Sequence, residues 1–218
     1  MQEIPLPTAA LVDTLLPAFA PCPNFGHCVQ AQWLPSRGHV PRGFLGATGR
    51  LQDVRAILIF AEPGRPYPGD DYSDCPTPMA LLQKAVAETC RHMRYGTDIF
   101  HQNLRWLLDE AFPGLGFEAQ LRHVWMTEGR LCSIAHEIGG LSDRLCARAY
   151  LSAQLELMPQ ALIIPFGGKA RDRVARVTDR YLPGIYALSP PGANHRPARP
   201  SWQEAAAAIR AVGPAGQL

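Results

Sequence analysis

The chain has 218 residues, of which 47% are apolar and 18% charged, with a formal net charge of +2. That balance excludes a disordered chain, and no apolar run approaches the roughly 18 residues of a membrane-spanning helix. The length suits a single α/β domain over 1–218. The start, Met1-Gln2-Glu3-Ile4-Pro5, lacks the basic region and apolar stretch of a secretion signal. A cytoplasmic protein with no membrane partner is expected, its six cysteines reduced. The cations are 19 Arg and only Lys84 and Lys169. Arg suits phosphate contacts, but a compositional bias explains the same count, so charge neither demands nor forbids a nucleic-acid partner.

In chain order, Thr8 is placed to cap a helix through about Phe19. The run Arg55–Phe60 reads as a strand buried on both faces. Residues 78–94 and 98–111 carry two helical patterns. Leu121–Met126 reads as a second strand, and Ser142 could cap a helix through about Met158. Ala161–Phe166 is a third strand, 169–181 an Arg-rich amphipathic helix and Gly184–Leu188 a fourth strand. Ser201 with Glu204 makes a capping box for a last helix through about Val212. Strands alternating with helices predict a three-layer α/β/α fold around a central four-stranded parallel sheet. The loops 61–76, 127–141, 167–168 and 189–200 would then share one sheet edge, where sites of open α/β sheets lie.

Those loops carry the chemistry. Phe60-Ala61-Glu62-Pro63-Gly64 puts a carboxylate at the end of a buried strand, stiffened by Pro and Gly; the plain alternative is a solvated turn glutamate. Met126-Thr127-Glu128-Gly129-Arg130-Leu131-Cys132 follows the second strand. Cys146-x-x-x-Tyr150-Leu151 leads through Leu155 and Pro159 into the third strand and Gly167-Gly168-Lys169-Ala170. That turn lacks the G-x-x-x-x-G-K-[ST] spacing, so nucleotide triphosphate binding is rejected in favour of tight strand-to-helix packing. Ser189-Pro190-Pro191-Gly192-Ala193-Asn194-His195-Arg196 is a Pro-stiffened loop. The loop before the first strand offers His39, Arg42 and Phe44 as further candidates to touch DNA.

Over about residues 20–212 this arrangement resembles the uracil-DNA glycosylase superfamily. Phe60–Gly64 is similar to the family's G-Q-D-P-Y, G-M-N-P-G and G-E-A-P-G endings. Glu62 stands where several branches carry a catalytic Asp or Asn; the G-E-A-P-G carboxylate falls at Ala61. Thr127–Cys132 looks like the T-N-x-x-K-C segment, with Glu128 replacing the Asn that reads the flipped base. An ionised Glu only accepts hydrogen bonds, whereas a protonated one also donates. The 189–196 loop sits where the family has H-P-S-P or H-P-S-G. Its His position is Ser189, so either His195 reaches back or the His is missing.

The resemblance implies a uracil-DNA glycosylase-like domain in base excision repair: a hydrolase acting on uracil or a deaminated purine. Glu62 would be catalytic. Ala61, Pro63, Gly64 and Glu128 would line the base pocket, with Tyr72, or second to it Tyr67, stacking on the base. Ser189, Pro190, Pro191, Gly192, Asn194, His195 and Arg196 would touch DNA, single-stranded or with a flipped base, and Arg196 and Arg199 suit phosphates. One branch of the superfamily holds an iron–sulfur cluster. Cys132 and Cys146 fit its third and fourth ligands, and Cys22 and Cys28 would supply the first pair at a wider spacing, making a 4Fe–4S site; four buried thiols are the alternative. A second functional reading is a non-catalytic DNA or nucleobase binder on the same fold.

Overall fold

The computed structural model describes residues 5–28, 31–133 and 141–213, without the side chains of 141–143. Helix α1 (Ala9–Leu15) continues as a 3-10 turn through Phe19, and Thr8 occupies its N-cap without a side-chain bond. Strands β1 (Leu45–Gly46) and β2 (Ala56–Phe60) follow. Helices α2 (Pro78–Tyr95) and α3 (Ile99–Ala111) come next, capped by the side chains of Thr77 and Asp98. After the short α4 (Phe117–Gln120) comes β3 (Val124–Glu128). Then α5 (Leu141–Cys146), a π-helical turn (Ala147–Leu151) and α6 (Ser152–Glu156) lead to β4 (Leu162–Pro165). Helices α7 (Gly168–Val174) and α8 (Ala198–Ala211) complete the order.

The sheet has four strands in the order β1-β3-β2-β4. β3, β2 and β4 run parallel, and β1 pairs antiparallel with β3. The α/β class therefore holds, but the wholly parallel sheet does not. Gly184–Leu188 is not a strand. Its neighbourhood still runs beside β4, because the Leu182 N–H donates to the Ile163 carbonyl (2.8 Å) and the Gly167 N–H to that of Ile185 (2.9 Å). Between these two bonds lies Pro165, which has no N–H to donate to the outer neighbour, so the ladder cannot close. The fourth strand comes instead from Leu45–Gly46, too short to show a pattern.

Three helix boundaries also depart from expectation. α8 opens at Ala198, so Ser201 and Glu204 lie inside it rather than forming a capping box. The Ser201 hydroxyl instead donates to the Ala198 carbonyl (2.7 Å) and accepts from the Tyr186 N–H (3.1 Å). α7 stops at Val174, well short of 181. There the β-branched Val177 and Thr178 disfavour helix, and the Thr178 hydroxyl accepts from the Arg180 N–H (3.1 Å). Ser142 lies within α5, and its capping side chain is outside the described residues, as are Met1–Ile4 and the 134–140 part of the 127–141 loop.

β2 and β3 are buried along their whole length, as the near-continuous apolarity demands. Helices α2, α3 and α8 pack side by side, while the π-turn packs on α6 and α7. No described helix is long and apolar enough to cross a membrane. Inside the core, the Trp125 indole N–H donates to the Gln154 side-chain oxygen (2.9 Å), and both residues are fully buried. Gln154→Leu leaves that indole unpaired and should lower unfolding stability by about 1–3 kcal/mol. Urea denaturation checks this; an unchanged midpoint contradicts it.

Candidate functional site

The parallel register sets Phe60 beside Glu128 at the ends of β2 and β3. The chain leaving β2 passes at once through Ala61-Glu62, so two carboxyl groups arrive together at the sheet edge. A cleft of about 1160 Å³ opens there. It is lined by the Ala61–Gly64 turn, by Tyr67, Tyr72 and Glu128, and by Ser189, Pro190, Pro191, Gly192 and His195. Asn194 and Arg196 belong to the same loop but are exposed and do not line the cleft.

Glu62 is largely buried and forms an ion pair with Arg173 of α7; Lys169 stands 3.9 Å from its other oxygen. Arg173 also donates to the Ala61 carbonyl, fixing the turn. Sequence reading missed Arg173, although a signal was present. It lies three residues after Ala170 and beside Val174, on the helix face that is buried. An Arg at an apolar-face position marks a specific partner.

Glu128 is only 6% exposed. Burial, followed by the neighbouring Glu62 charge, pushes its carboxyl well above the ordinary range, against the opposing pull of Arg173 and Arg42. One of its oxygens has no hydrogen-bond partner. Room for it comes from Gly43, at φ +87°, where any Cβ would collide with the Glu128 side chain. The structure thus favours the protonated form, which offers one donor and one acceptor.

The two tyrosines differ in access. Tyr72 is 1% exposed and its ring lies under Lys84, whereas Tyr67 is 41% exposed and stacks on His92 at 3.9 Å between centroids. Tyr67 is therefore the more available stacking surface, reversing the expected order. Among the pre-strand candidates, Arg42 reaches the cleft and donates to the carbonyls of Gly38 (2.9 Å) and Gly64. His39 instead contacts the Ser133 hydroxyl (2.8 Å), and Phe44 is fully buried in the core, which removes it as a DNA contact. Arg199 lies over the Trp106 ring at 3.3 Å.

At the Gly167-Gly168 turn, a Cβ on Gly167 would lie 3.0 Å from the Ala187 methyl, and its φ is +89°. Gly167 serves close packing. A further polar group lies across the cleft. The Asp98 carboxylate accepts from the Tyr67 hydroxyl (2.9 Å) and from the His101 imidazole Nδ1 (2.6 Å). Asp70, Glu88 and His92 offer ligand atoms within 4.8 Å of one another, as no other described trio of His, Cys, Asp or Glu does. Arg91 already places its guanidinium against both Glu88 and His92.

Away from the cleft, Cys132 lies within electrostatic reach of Cys22, Cys28 and Cys146, and Cys146 within that of Cys22 and Cys28. Burial, then the neighbouring thiols, raises Cys132; burial chiefly raises Cys146, to about 12. Backbone N–H groups of Asn24 and Leu131 point at the Cys22 and Cys146 sulfurs (3.3 and 3.5 Å), and Arg130 donates to that of Cys28 (3.2 Å). Cys75 and Cys90 belong to neither group.

No protein-family model matches the chain, and no curated protein matches it. Its function must be argued from the site.

Glu128 supplies a test of this geometry. Its folded carboxyl keeps its proton above the ordinary value of about 4.3, where the unfolded chain has lost it. Stability from this group is therefore full below that value and falls as pH rises through the raised one, by about 1.4 kcal/mol per pH unit in between. Glu128→Gln should remove that slope, so its advantage over the natural chain grows from pH 5 to pH 8.5 in urea denaturation. Equal differences at both pH values contradict a raised Glu128.

Proposed function

We propose that the chain is a DNA glycosylase of the uracil-DNA glycosylase superfamily, hydrolysing the N-glycosidic bond of a flipped, deaminated base. The observation that carries this reading is the convergence of the Pro-Gly turn, Glu128 and the 189–195 loop on one cleft with a carboxyl pair at its floor. A base within a duplex is unreachable, so the cleft must receive an extruded base or a single strand. Tyr67 would stack on it. Protonated Glu128 would donate to one carbonyl and accept from the adjacent N–H, matching the amide edge shared by uracil, hypoxanthine and xanthine.

Glu62 would lie against the sugar. Its ion pair with Arg173 fits two roles. It would orient water by accepting a hydrogen bond and would stabilise the oxocarbenium-like cation through its charge. The exposed 189–196 loop, with Arg196 at its end, would hold the opened strand through phosphate contacts. The same ion pair, together with Ser189 at the expected His position, supports the second reading, a non-catalytic binder.

Excision is tested on oligonucleotides carrying uracil, hypoxanthine or xanthine, followed by alkaline cleavage. Glu62→Gln should retain DNA binding and lose about 10²–10⁴-fold in single-turnover rate. DNA binding without excision of any lesion supports the binder instead.

The four cysteines fit a 4Fe–4S cluster, which we place in the same proposal. Cys132 and Cys146 each feel the charges of the Cys22 and Cys28 thiols, three of the four sulfurs meet N–H donors, and the four come from two distant chain regions. They are not among the trios converging within 4.8 Å, as ligands of one ion would; a cluster gives each thiolate its own iron. Such a cluster would supply a cross-link between the 22–28 segment and the 132–146 region. Anaerobically purified protein should be brown, absorbing near roughly 400 nm, and Cys132→Ser should abolish the colour. Colourless protein without iron after reconstitution contradicts it.

A further inference from the structure

Breaking an N-glycosidic bond leaves an electron pair on the departing base, which leaves faster if it is protonated. Neither carboxyl group at the cleft floor suits that task. Glu62 is committed to Arg173, and Glu128 loses little by keeping its proton in a buried site. The cleft holds another group, on a different element, that the proposed function has not used.

His101 lies in the first turn of α3, is 7% exposed and lines the cleft. Its Nδ1 meets the Asp98 carboxylate at 2.6 Å, and that same oxygen accepts from the Tyr67 hydroxyl at 2.9 Å. A carboxylate accepts only, so the imidazole must carry its proton on Nδ1. Burial works against the Asp98 charge, yet the hydrogen bonds from His101 and Tyr67 leave its carboxyl below the ordinary range. The other nitrogen, Nε2, makes no hydrogen bond among the described residues and is not sealed from solvent. His92 and Tyr67 lie beside the ring at 6.3 and 6.4 Å between centroids. Phe100 lies 5.0 Å from both the His101 ring and that of Phe60, the last residue of β2. One aromatic ring thus separates His101 from the strand end that delivers Glu62.

We infer that His101, oriented by Asp98, is the proton donor to the departing base; this rests on the glycosylase reading. The imidazolium holds its Nδ1–H on Asp98 and gives its Nε2 proton to the base as the C1′–N bond breaks and the electron pair passes to the base. Water adds to C1′ and loses its proton to solvent, from which His101 is reprotonated. Asp98 is a positioning residue: it fixes the ring and holds a proton on Nδ1.

The test is leaving-group dependence. Single-turnover excision of uracil is compared with that of 5-fluorouracil, whose anion is the better leaving group, or of hypoxanthine with the more acidic xanthine. His101→Gln should slow the poorer leaving group by about 10²–10⁴-fold and the better one distinctly less. Asp98→Asn, which keeps a good N-cap, should show the same pattern with smaller losses, so the inference stands or falls even if the His101 variant misfolds. Equal losses on both bases, or none, overturn the proton-donor role while leaving the glycosylase reading intact. A natural chain that excises no base overturns both.

Discussion

Two carboxyl groups share one small volume at the ends of two adjacent parallel strands, and the rest of the site is arranged around that constraint. The Phe60–Glu128 register leaves no freedom to separate them. Two buried like charges at this range cannot both persist without compensation. A buried guanidinium, Arg173, pairs with Glu62, and the Glu128 carboxyl is pushed well above its ordinary range. One strand pairing thus sets two residues of the same type in contrasting surroundings, one ion-paired and one buried without a paired cation of its own among the described residues. Gly43 leaves the space that the neutral group fills, and Gly129 leaves the space beside the Arg173 side chain, where a Cβ would lie 2.8 Å from its Cδ.

The opposite wall follows a second economy of means. Asp98 caps α3 through the His101 N–H, and the same carboxylate binds the His101 ring and the Tyr67 hydroxyl. A helix-start residue that the chain needs for local reasons therefore also orients a titratable ring in the cleft. The Tyr67 ring in turn packs flat on His92 of α2, tying the loop after β2 to two helices. Burial and the Asp98 hydrogen bond raise its phenol to about 12, so it remains a donor throughout the physiological range. The 189–196 loop lies at the rim, anchored where Asn103 donates to the Leu188 carbonyl (2.8 Å) and where the His195 ring meets that of Tyr186 (5.7 Å between centroids).

The elements with strong periodicity were legible in the sequence. The buried run at 55–60, the long helices α2 and α3 and the third parallel strand needed only apolar spacing. The failures have local causes. Gly184–Leu188 has strand composition, but Pro165 denies it a partner donor. Leu45–Gly46 pairs through backbone geometry that two residues cannot announce. The Ser201–Glu204 pair has capping-box spacing inside a helix that starts earlier, after Pro197. In the site, Glu62, Glu128 and most of the 189–195 loop were legible as cleft-lining residues because each ends or follows an apolar run. His101 and Asp98 were not, since they sit within an ordinary helix start. Nor was the protonation of Glu128, which depends on a contact across strands rather than on its neighbours in sequence.

The proton on Glu128 is the central claim, and it is directly observable. Carbon-13 NMR of protein labelled at the Glu side-chain carboxyl, with Glu128 assigned by its absence in Glu128→Gln, follows the ionisation of that one group across pH. A Glu128 resonance should stay at the protonated-acid position well above the pH range in which the exposed glutamates titrate. A Glu128 signal that moves to the carboxylate position together with those of the exposed glutamates would contradict it.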